Sequence, residues 1–588
     1  MNTAINLRNI RQAKRTELPQ IADQLRNEII AVTQARGGHY SASLCTVELS
    51  LALHYVFRSP EDRLIWDTGH QCYAHKLITN RLPGFHMLRR DQGVAGFPLI
   101  TESEHDTFGT GHASTSLAAA AGIASTCKDS GNWTIAIIGD AALAGGPALE
   151  ALNLLDMKGL RLGIVLNDNG FSISKSVGAL SRRRPDSYRS LADAMGLSYV
   201  GPLNGHDVDT IVKNLLDLQE QQSFFLHLLT CKGYGDPFAE QDPEAFHNID
   251  GRSRVNIAIP TSKNPKKDSK QQARPTLQKV FSDWLLNEAE RNQSLCVLTP
   301  GMCYPGGLDS FRKKFSEKFW DVGIAEASAV TIAAGLAIGD KKPLVHIYST
   351  FLQRAVDQLI HDVGLQNLNV SFLIDRVGLC GWDGPTHHGI FDLSFLRAVP
   401  NLSIYSVVSE RDLLILLQKL SQTKSGAVAI RISKGQSLEL PTSTHLDSTN
   451  DAPARIIREG TDLTIVTHGR VLKNSLMAVN KLAELGIQSR LIEFIRLRPL
   501  LDTELATLLP VGQPLLVVEE HVESGSLGRE LGVHLQMFGQ AVRFCHLCIH
   551  TSVIPKGSIE TQLRSVGLST EHIVEAGRSL VSAQQRWA

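Results

Sequence analysis

Short apolar runs, each ended by glycine or a polar residue, recur along this chain and alternate with segments of helical character. Residues 134–138 and 162–166 are two such runs, and residues 344–348, 463–467 and 515–519 repeat the pattern. Runs of this length between helical segments are typical of strands buried on both faces of a parallel sheet. The pattern therefore predicts an α/β fold with parallel sheets.

Two polar segments divide the 588-residue chain into three parts. Residues 261–275 contain no apolar side chain larger than alanine apart from proline, and residues 442–453 are mostly polar. Both are typical of solvated linkers, and a chain of this length exceeds what one hydrophobic core supports. We predict three doubly wound parallel-sheet domains, over residues 1–260, 276–445 and 455–588.

The composition argues against several classes of partner. The chain has 59 Lys and Arg against 59 Asp and Glu, and this balance argues against a nucleic-acid-binding protein. No apolar run is long enough to span a bilayer, so we expect no membrane partner. The 9 cysteines are spread along the chain, which favours reduced thiols in a cytoplasm. Local basic groups still allow a phosphorylated metabolite, so we expect small-molecule substrates.

Polar residues directly follow two of the predicted strands. Asp140 comes after the run at 134–138, and Asn169 comes after the run at 162–166. The carboxyl ends of neighbouring parallel strands meet at the edge where such folds bind ligands, so these side chains would face one point. One carboxylate, one amide oxygen and a backbone carbonyl suit Mg²⁺. Asp and Asn also favour turns and helix caps, and spacing alone leaves that alternative open.

The wider context resembles a known family. Gly139-Asp140-Ala141-Ala142, a helix and then Asn167-Asp168-Asn169 are similar to the diphosphate and metal motif of thiamine-diphosphate enzymes. Further segments resemble, in order along the chain, the 1-deoxy-D-xylulose-5-phosphate synthase family of transketolase-like enzymes. These segments are residues 37–40, 66–71, 111–116, 172–174, 205–207, 246–247, 321–336 and 347–362.

The resemblance implies a transketolase-type fold, thiamine diphosphate and Mg²⁺ as cofactors, and a homodimer. It also implies a reaction in which pyruvate loses CO₂ and its remaining carbons join D-glyceraldehyde 3-phosphate, giving 1-deoxy-D-xylulose 5-phosphate. That product feeds isoprenoid, thiamine and pyridoxal precursors. The third domain resembles the transketolase C-terminal domain, and we assign it to packing and dimer contacts.

The resemblance also implies roles for single residues. Those implied to act in catalysis are Glu326, His39, His70, His247 and His387. Those implied to contact the cofactor are His70, Gly111, His112, Ala113, Asp140, Ala141, Ala142, Asn169, Glu326 and Phe351. The implied metal ligands are Asp140, Asn169 and Phe171. The implied substrate contacts are Tyr348, Arg354, Arg376, Asp383, His387 and Lys434.

Some of these assignments agree with independent chemical arguments. Several imidazoles suit a carbanion centre because protons move at both substrates, although one histidine alone would indicate an ordinary interior residue. Glu326 matches the family glutamate that bonds the aminopyrimidine ring, and a glutamate also suits a helix N-terminus. Arg376 offers a planar fork for a phosphate, whereas Lys434 offers a point charge where the family has arginine. Together these cations favour a monophosphorylated acceptor; singly, either is typical of a protein surface.

The chain departs from the family pattern at several other positions. Ala141 replaces a glycine, Ala42 a serine, Asp236 a tyrosine near the cofactor and Ser328 a histidine. Between residues 180 and 197 the family contains several tens of additional residues that form a mobile segment over the active site. Such segments control access of water and substrate, so this shortening favours altered access or a different substrate.

Two alternatives to the family reaction remain. The departures favour a diverged enzyme that uses the same cofactor with another donor or acceptor in a specialised pathway. A non-catalytic binding partner is a third hypothesis. The presence of Glu326, Asp140 and Asn169 argues against it.

Overall fold

The computed structural model describes residues 5–127, 130–154, 160–182, 186–251, 274–441, 452–509, 512–539, 542–550 and 554–585. Almost all of the two predicted linkers, 261–275 and 442–453, lies outside these ranges. The chain divides into two compact units. The first contains Met1–Lys267 and Val322–Ala325, and the second contains Asp268–Asp321 and Glu326–Ala588. The predicted boundaries of three domains stay a prediction.

The first unit is built on a five-stranded sheet in the order β2-β3-β4-β6-β5, with all neighbours parallel. A short antiparallel pair, β1 with β7, lies outside this sheet. The strands are β1 Gly38–His39, β2 Arg63–Asp67, β3 Thr134–Gly139, β4 Leu162–Asp168, β5 Tyr199–Asn204, β6 Ser223–Leu229 and β7 Asn248–Ile249. The strands predicted at 134–138 and 162–166 are confirmed as β3 and β4.

Helices cover both faces of this sheet. Alternate residues of β3 enter different cores: Ile135 and Ile137 join one apolar cluster, and Ala136 and Ile138 join the other. This two-sided burial explains the continuous apolar runs in the sequence. The α-helices are Leu7–Gln12, Leu18–Arg36, Ser41–Leu44, Val47–Val56, Tyr73–Ile78, Leu82–Phe85, Ser116–Thr126, Asp140–Leu143, Gly146–Leu154, Ala179–Arg182, Asp186–Ala194, Val208–Leu218 and Pro237–Gln241.

The second unit contains two sheets. A seven-stranded sheet has the order β17-β12-β13-β11-β10-β8-β9, and a five-stranded sheet has the order β14-β16-β15-β18-β19. Their strands are β8 Leu295–Thr299, β9 Phe319–Asp321, β10 Lys342–Tyr348, β11 Ser371–Val377, β12 Leu402–Val407, β13 Ala427–Ser433, β14 Ala454–Arg458, β15 Leu463–Thr467, β16 Ser489–Phe494, β17 Arg496–Arg498, β18 Leu515–Val522 and β19 Phe544–Ile549. The predicted α/β class, with three sheets of mostly parallel strands, is confirmed.

Two edge strands of the second unit are antiparallel, which the apolar runs did not predict. β14 pairs antiparallel with β16, and β17, from the third predicted domain, pairs antiparallel with β12 of the second. Each covers the edge of a parallel sheet and pairs backbone groups there. The α-helices are Leu277–Arg291, Asp309–Lys314, Glu326–Ile338, Ser349–Leu352, Val356–Gln358, Asp392–Leu396, Glu410–Gln422, Leu472–Glu484, Asp502–Leu508, Leu527–Met537, Ile559–Ser565 and Thr570–Gln585. Within the described ranges, no helix has the length and apolar character that crossing a membrane requires.

A buried hydrogen-bonded network of titratable side chains connects the helices Val47–Val56 and Tyr73–Ile78 with Asp106. His54 Nε2 lies 2.8 Å from His75 Nδ1, and His75 Nε2 lies 3.1 Å from Asp106 Oδ1. Burial lowers the pKa of His75 to about 4 and lowers the pKa of His54 well below its usual range. Both imidazoles are therefore neutral in the folded protein at neutral pH.

This buried histidine network predicts that the free energy of unfolding decreases in acid. In the unfolded chain each histidine takes up a proton near pH 6.5, whereas folding holds His54 and His75 neutral, so stability falls as the pH drops below that value. At pH 5.5 each should cost about 1.4 kcal/mol relative to pH 7.5. We expect His54→Gln to reduce the acid-induced loss by about that amount in urea unfolding. The matched variant His86→Gln, at an exposed imidazole, should leave it unchanged; equal losses in both variants would refute the assignment.

Candidate active site

Three histidines from distant parts of the sequence meet in the first unit. The ring centroids of His39 and His70 are 4.8 Å apart, and those of His39 and His247 are 5.5 Å apart. The His70 and His247 centroids are separated by 5.2 Å. The β1–β7 pairing accounts for part of this, because it joins His39 directly to Asn248. The structure thus brings together the three histidines that the sequence assigned to one chamber.

Arg89 contacts the ring of His39 and the neighbouring strand β7. Its Nη2 lies 2.7 Å from His39 Nδ1, and its Nη1 donates to Asn248 Oδ1 at 3.2 Å. The same Nη2 lies 3.4 Å from His39 Nε2, and because a guanidinium only donates, it holds the ring through an acceptor nitrogen. Burial lowers the pKa of His247 well below its usual range, and the positive charge of Lys232 lowers it further. Neutral imidazoles can accept or donate protons at neutral pH.

One buried carboxylate holds the loop that contains Gly111, His112 and Ala113. Asp67, at the end of β2, accepts backbone hydrogen bonds from Ser114 and Ser116 at 3.0 Å each. It therefore caps the start of the helix Ser116–Thr126. The loop is fixed by residues from two of the sequence segments noted above, 66–71 and 111–116. This gives the first of them a structural role.

The expected metal ligands lie at neighbouring strand ends. Gly139 of β3 is paired with Asn167 of β4, so Asp140 and Asn169 follow adjacent strands at the same edge of the sheet. Asp140 is fully buried, and Asn169 is half-buried. The Asn169 Oδ1 atom accepts from the backbone N–H of Phe171 at 2.9 Å, so the side chain is tied to the residue expected to supply the third ligand.

The structure separates the three residues of the Asn167-Asp168-Asn169 motif by function. The Asn167 amide donates to Gln71 at 2.6 Å and accepts from Thr230, so both of its ends are used. Asp168 is bonded to His227 Nε2 at 3.0 Å. Among the described residues no group of three or more His, Cys, Asp or Glu side chains could hold a metal ion. A set of one carboxylate, one amide oxygen and one backbone carbonyl nevertheless fits Mg²⁺, whose remaining positions suit diphosphate oxygens and water.

Lys232 and Cys45, which the sequence did not mark, interact with the expected metal ligands. Lys232 is buried, donates to the Ser172 carbonyl at 2.6 Å, and is close enough to Asp140 for the charges to interact. Burial lowers the pKa of Lys232 to about 8. The Cys45 sulfur accepts from the Asn169 amide nitrogen at 3.6 Å. Both follow segments with clear family resemblance, but neither belongs to a motif that marked them.

The Gly205-His206-Asp207 motif proves to be structural. His206 Nε2 accepts from the backbone N–H of Cys231 at 2.8 Å, which holds the segment that contains Lys232. Asp207 caps the helix Val208–Leu218 by accepting from Thr210. The motif therefore supports the site without belonging to it.

In the second unit, Glu326 begins the helix Glu326–Ile338 and is 5% exposed. Burial raises the pKa of its carboxyl, and the positive charge of Arg354, whose Nη1 lies 3.8 Å from Oε2, opposes that rise. The same carboxyl thus has the helix-terminal position expected from its sequence and the low-dielectric setting of a functional acid.

A second group of contacts in the same unit is centred on two aromatic rings, Tyr348 and Phe351. The Tyr348 ring is parallel to that of Phe351 within 3°, at a centroid distance of 5.7 Å. The rings of Phe351 and His387 form a T-shaped contact with centroids 5.7 Å apart, and the Arg376 guanidinium lies 4.8 Å from the centroid of Tyr348. The structure therefore brings three of the implied substrate contacts, Tyr348, Arg376 and His387, together with Phe351, an implied cofactor contact.

Both cations predicted to bind a phosphate have acidic neighbours. Arg376 Nη1 contacts both carboxylate oxygens of Asp375, at 3.2 and 3.1 Å. Lys434 Nζ donates to Asp383 Oδ2 at 3.3 Å and is 42% exposed at its side chain. An incoming phosphate would compete with Asp383 for Lys434, whereas the Arg376 fork keeps N–H groups beyond those used by Asp375.

Family comparisons cover these clusters. Residues 1–187 match the family described as 1-deoxy-D-xylulose-5-phosphate synthase. Residues 273–438 match the transketolase pyrimidine binding domain, and residues 452–573 match the transketolase C-terminal domain. A curated 1-deoxy-D-xylulose-5-phosphate synthase from Dechloromonas aromatica is 38% identical over 98% of this chain and 98% of its own length. The chain belongs to the 1-deoxy-D-xylulose-5-phosphate synthase family.

Other members of this synthase family are similar over the whole chain. The synthase from Syntrophomonas wolfei is 36% identical over 100% of this chain and 98% of its own length. Among solved structures, a transketolase from Leishmania mexicana aligns over 96% of this chain and 97% of its own, with 16% identity and a TM-score of 0.47. As a member of the synthase family, the chain is a transketolase-like enzyme that depends on thiamine diphosphate.

Two of the departures from the synthase pattern are visible in the fold. Asp236 is buried, accepts a short hydrogen bond from the Tyr40 hydroxyl, and caps the helix Pro237–Gln241. The tyrosine expected at 236 is thus replaced by a buried Tyr–Asp pair beside His39. Ser328 is exposed on the first turn after Glu326, so it makes no buried contact in the place of the synthase histidine.

Proposed function

We propose that this chain condenses pyruvate, with loss of CO₂, and D-glyceraldehyde 3-phosphate to 1-deoxy-D-xylulose 5-phosphate. Thiamine diphosphate, when bound, supplies the carbon nucleophile and the electron sink that this decarboxylation needs. The observation that carries the proposal is the buried Glu326 carboxyl with its raised pKa, at the position of the family's activating glutamate. The product supplies precursors of isoprenoids, thiamine and pyridoxal.

Different protein residues would hold the diphosphate and the aminopyrimidine of the cofactor. Asp140, Asn169 and the Phe171 carbonyl would bind Mg²⁺, supported by the shared sheet edge of the first two. Backbone groups of residues 111–113, Ala141 and Ala142, with the His70 side chain, would contact the diphosphate side. Glu326 and Phe351 would contact the aminopyrimidine, for which a buried acid and an aromatic face are suited.

The histidines would move protons during the reaction. His39, His70 and His247 would donate protons to, or take them from, the reacting atoms nearby. His387, at the edge of Phe351, would do the same at the acceptor carbonyl oxygen. Tyr348 and Arg354 would line the pocket.

The phosphate of the acceptor would bind Arg376 and Lys434, with Asp383 orienting the acceptor hydroxyl groups. A second candidate function is the same chemistry with an uncharged aldehyde. The observation that favours it is the Lys434–Asp383 ion pair, which reduces the positive charge available to a phosphate. The short segment at 180–197, of which residues 183–185 lie outside the described part, favours it as well.

Incubation with pyruvate and a panel of aldehydes distinguishes the two. We expect CO₂ release and a product with the mass of 1-deoxy-D-xylulose 5-phosphate from glyceraldehyde 3-phosphate, with at least about tenfold lower kcat/KM for free glyceraldehyde. Lys434→Ala should raise the KM of the phosphorylated acceptor and leave that of pyruvate unchanged. Equal use of the two aldehydes by the unmodified enzyme would favour the second candidate, and the absence of any condensation product would refute both.

We also propose that the protein is a homodimer and is located in the cytoplasm. A homodimer is supported by the helix Glu326–Ile338, which is apolar after its first residue except for two hydroxyl side chains and leaves Ile338 65% exposed. Light scattering at micromolar concentration tests it. The 9 cysteines are all free thiols, which supports a reducing compartment such as the cytoplasm.

A further inference from the structure

The loop 378–389, here called the acceptor loop, contains Asp383 and His387. Its two ends are closed by a reciprocal pair of backbone hydrogen bonds between Gly378 and Gly389, each 2.8 Å long. Inside it, the backbone N–H of Cys380 donates to His388 Nδ1 at 3.0 Å. The loop is therefore a compact unit whose position depends on whatever holds its base.

A carboxylate of the third sheet holds one side of that base. Glu520, on β18, accepts from the backbone N–H of Leu379 at 2.8 Å and is 5% exposed. Gly378 has a φ of +81°, and a Cβ there would lie 2.4 Å from Glu520 Oε2. Only glycine allows this close approach.

Arg470, directly after β15, connects the carboxylate to the rest of the pocket. Its Nε donates to Glu520 Oε2 at 3.2 Å, and its Nη2 donates to Glu520 Oε1 and, at 2.9 Å, to the Leu379 carbonyl. Its Nη1 donates to the Lys434 carbonyl at 3.2 Å. These are four bonds from a group with five N–H donors, so Arg470 is a connecting residue rather than an open anion ligand.

Gln562, in the helix Ile559–Ser565 of the third predicted domain, makes a further connection to the acceptor loop. Its amide oxygen accepts from Gly381 N at 3.0 Å, and its amide nitrogen donates to the Gly381 carbonyl at 3.0 Å. The side chain is fully buried. The acceptor loop thus contacts the third sheet domain at two successive points, Leu379 and Gly381.

We propose that Arg470 and Glu520 are positioning residues that determine selectivity for a phosphorylated acceptor. They set the distance between Lys434 and the acceptor loop, because one guanidinium bonds the backbone of both. This inference rests on the proposed function, and it replaces our assignment of the third domain to packing and dimer contacts alone. A shift of about 1 Å between Lys434 and the acceptor loop is enough to impair binding of a ligand that contacts both.

The KM of pyruvate, the donor substrate, should not depend on the Arg470–Glu520 contacts. Glu326, the implied contact to the cofactor on which pyruvate reacts, pairs with Arg354, whereas Arg470 pairs with Glu520. Loss of the Arg470–Glu520 pair should therefore separate the two substrates kinetically. A residue with only a structural role would lower stability without that separation.

The test uses full-length enzyme with saturating thiamine diphosphate and Mg²⁺. We expect Arg470→Ala to raise the KM of glyceraldehyde 3-phosphate about tenfold and to change the KM of pyruvate less than twofold. Arg470→Lys, which keeps the charge but loses the fork, should give an intermediate value. Hydrogen exchange of the peptide 376–390 should become about tenfold faster in both variants.

Arg496→Ala is the matched control. Arg496 forms an ion pair of similar burial with Glu504 in the same unit and bonds the Pro499 carbonyl instead of the loop. It should lower the thermal midpoint while leaving both KM values and the exchange of 376–390 unchanged. Equal acceptor KM values in Arg470→Ala and the unmodified enzyme would overturn the inference, and the proposed function would stand. Absence of product from the unmodified enzyme would instead refute the proposed function. Unchanged hydrogen exchange of the peptide 376–390 in Arg470→Ala would then refute the positioning role independently.

Discussion

Glu326→Gln should lower kcat at least about 1000-fold, which corresponds to roughly 4 kcal/mol of transition-state stabilisation. Glutamine preserves the size and one hydrogen-bond acceptor but cannot hold or release a proton. Glu326 is buried, and burial raises the pKa of its carboxyl, which favours the proton-holding form that glutamine lacks. The measurement is steady-state turnover beside calorimetric affinity for thiamine diphosphate, which should change less than about threefold.

The control for this variant is Glu317→Gln, which removes an exposed carboxylate close in sequence. It should retain full turnover. Turnover of Glu326→Gln within about tenfold of the unmodified enzyme would exclude Glu326 as the activating acid. If cofactor affinity fell as far as turnover, the residue would serve binding alone.

Asp140→Ala should remove Mg²⁺-dependent binding of thiamine diphosphate, with an affinity loss of at least about 100-fold, or 2.7 kcal/mol. The missing carboxylate leaves an amide oxygen and a backbone carbonyl as the protein ligands, which are too few and uncharged for a hard divalent ion. A thermal-shift titration gives a readout that does not depend on catalysis, because a ligand that binds only the folded state raises its melting temperature.

Asp168→Asn is the matched control for Asp140. It alters a buried carboxylate at the last residue of β4, directly before Asn169, and that carboxylate is hydrogen-bonded to His227. We expect lower stability with unchanged Mg²⁺ dependence of cofactor binding. If both variants lost the same affinity, the effect of Asp140→Ala would reflect local unfolding. If neither did, the ion would bind elsewhere.

Local sequence was sufficient for the strands and for one edge of the site. The runs at 134–138 and 162–166 predicted β3 and β4, since side chains buried on both faces must be apolar at every position. Their parallel register then brings Asp140 and Asn169 to one edge, because parallel strands end together. Glu326 at the start of a helix was also readable from its neighbours.

Contacts between distant residues decided the rest. Arg89 bonds His39 across 50 positions, Arg470 bonds Lys434 across 36, and Glu520 bonds Leu379 across 141. The separation of Asn169 from Asn167, and the placement of β17 at the edge of the second sheet, depend on such partners as well. Apolar periodicity records which face of an element is buried, but not which polar partner it meets there, because that partner is chosen by the packing of whole sheets and helices.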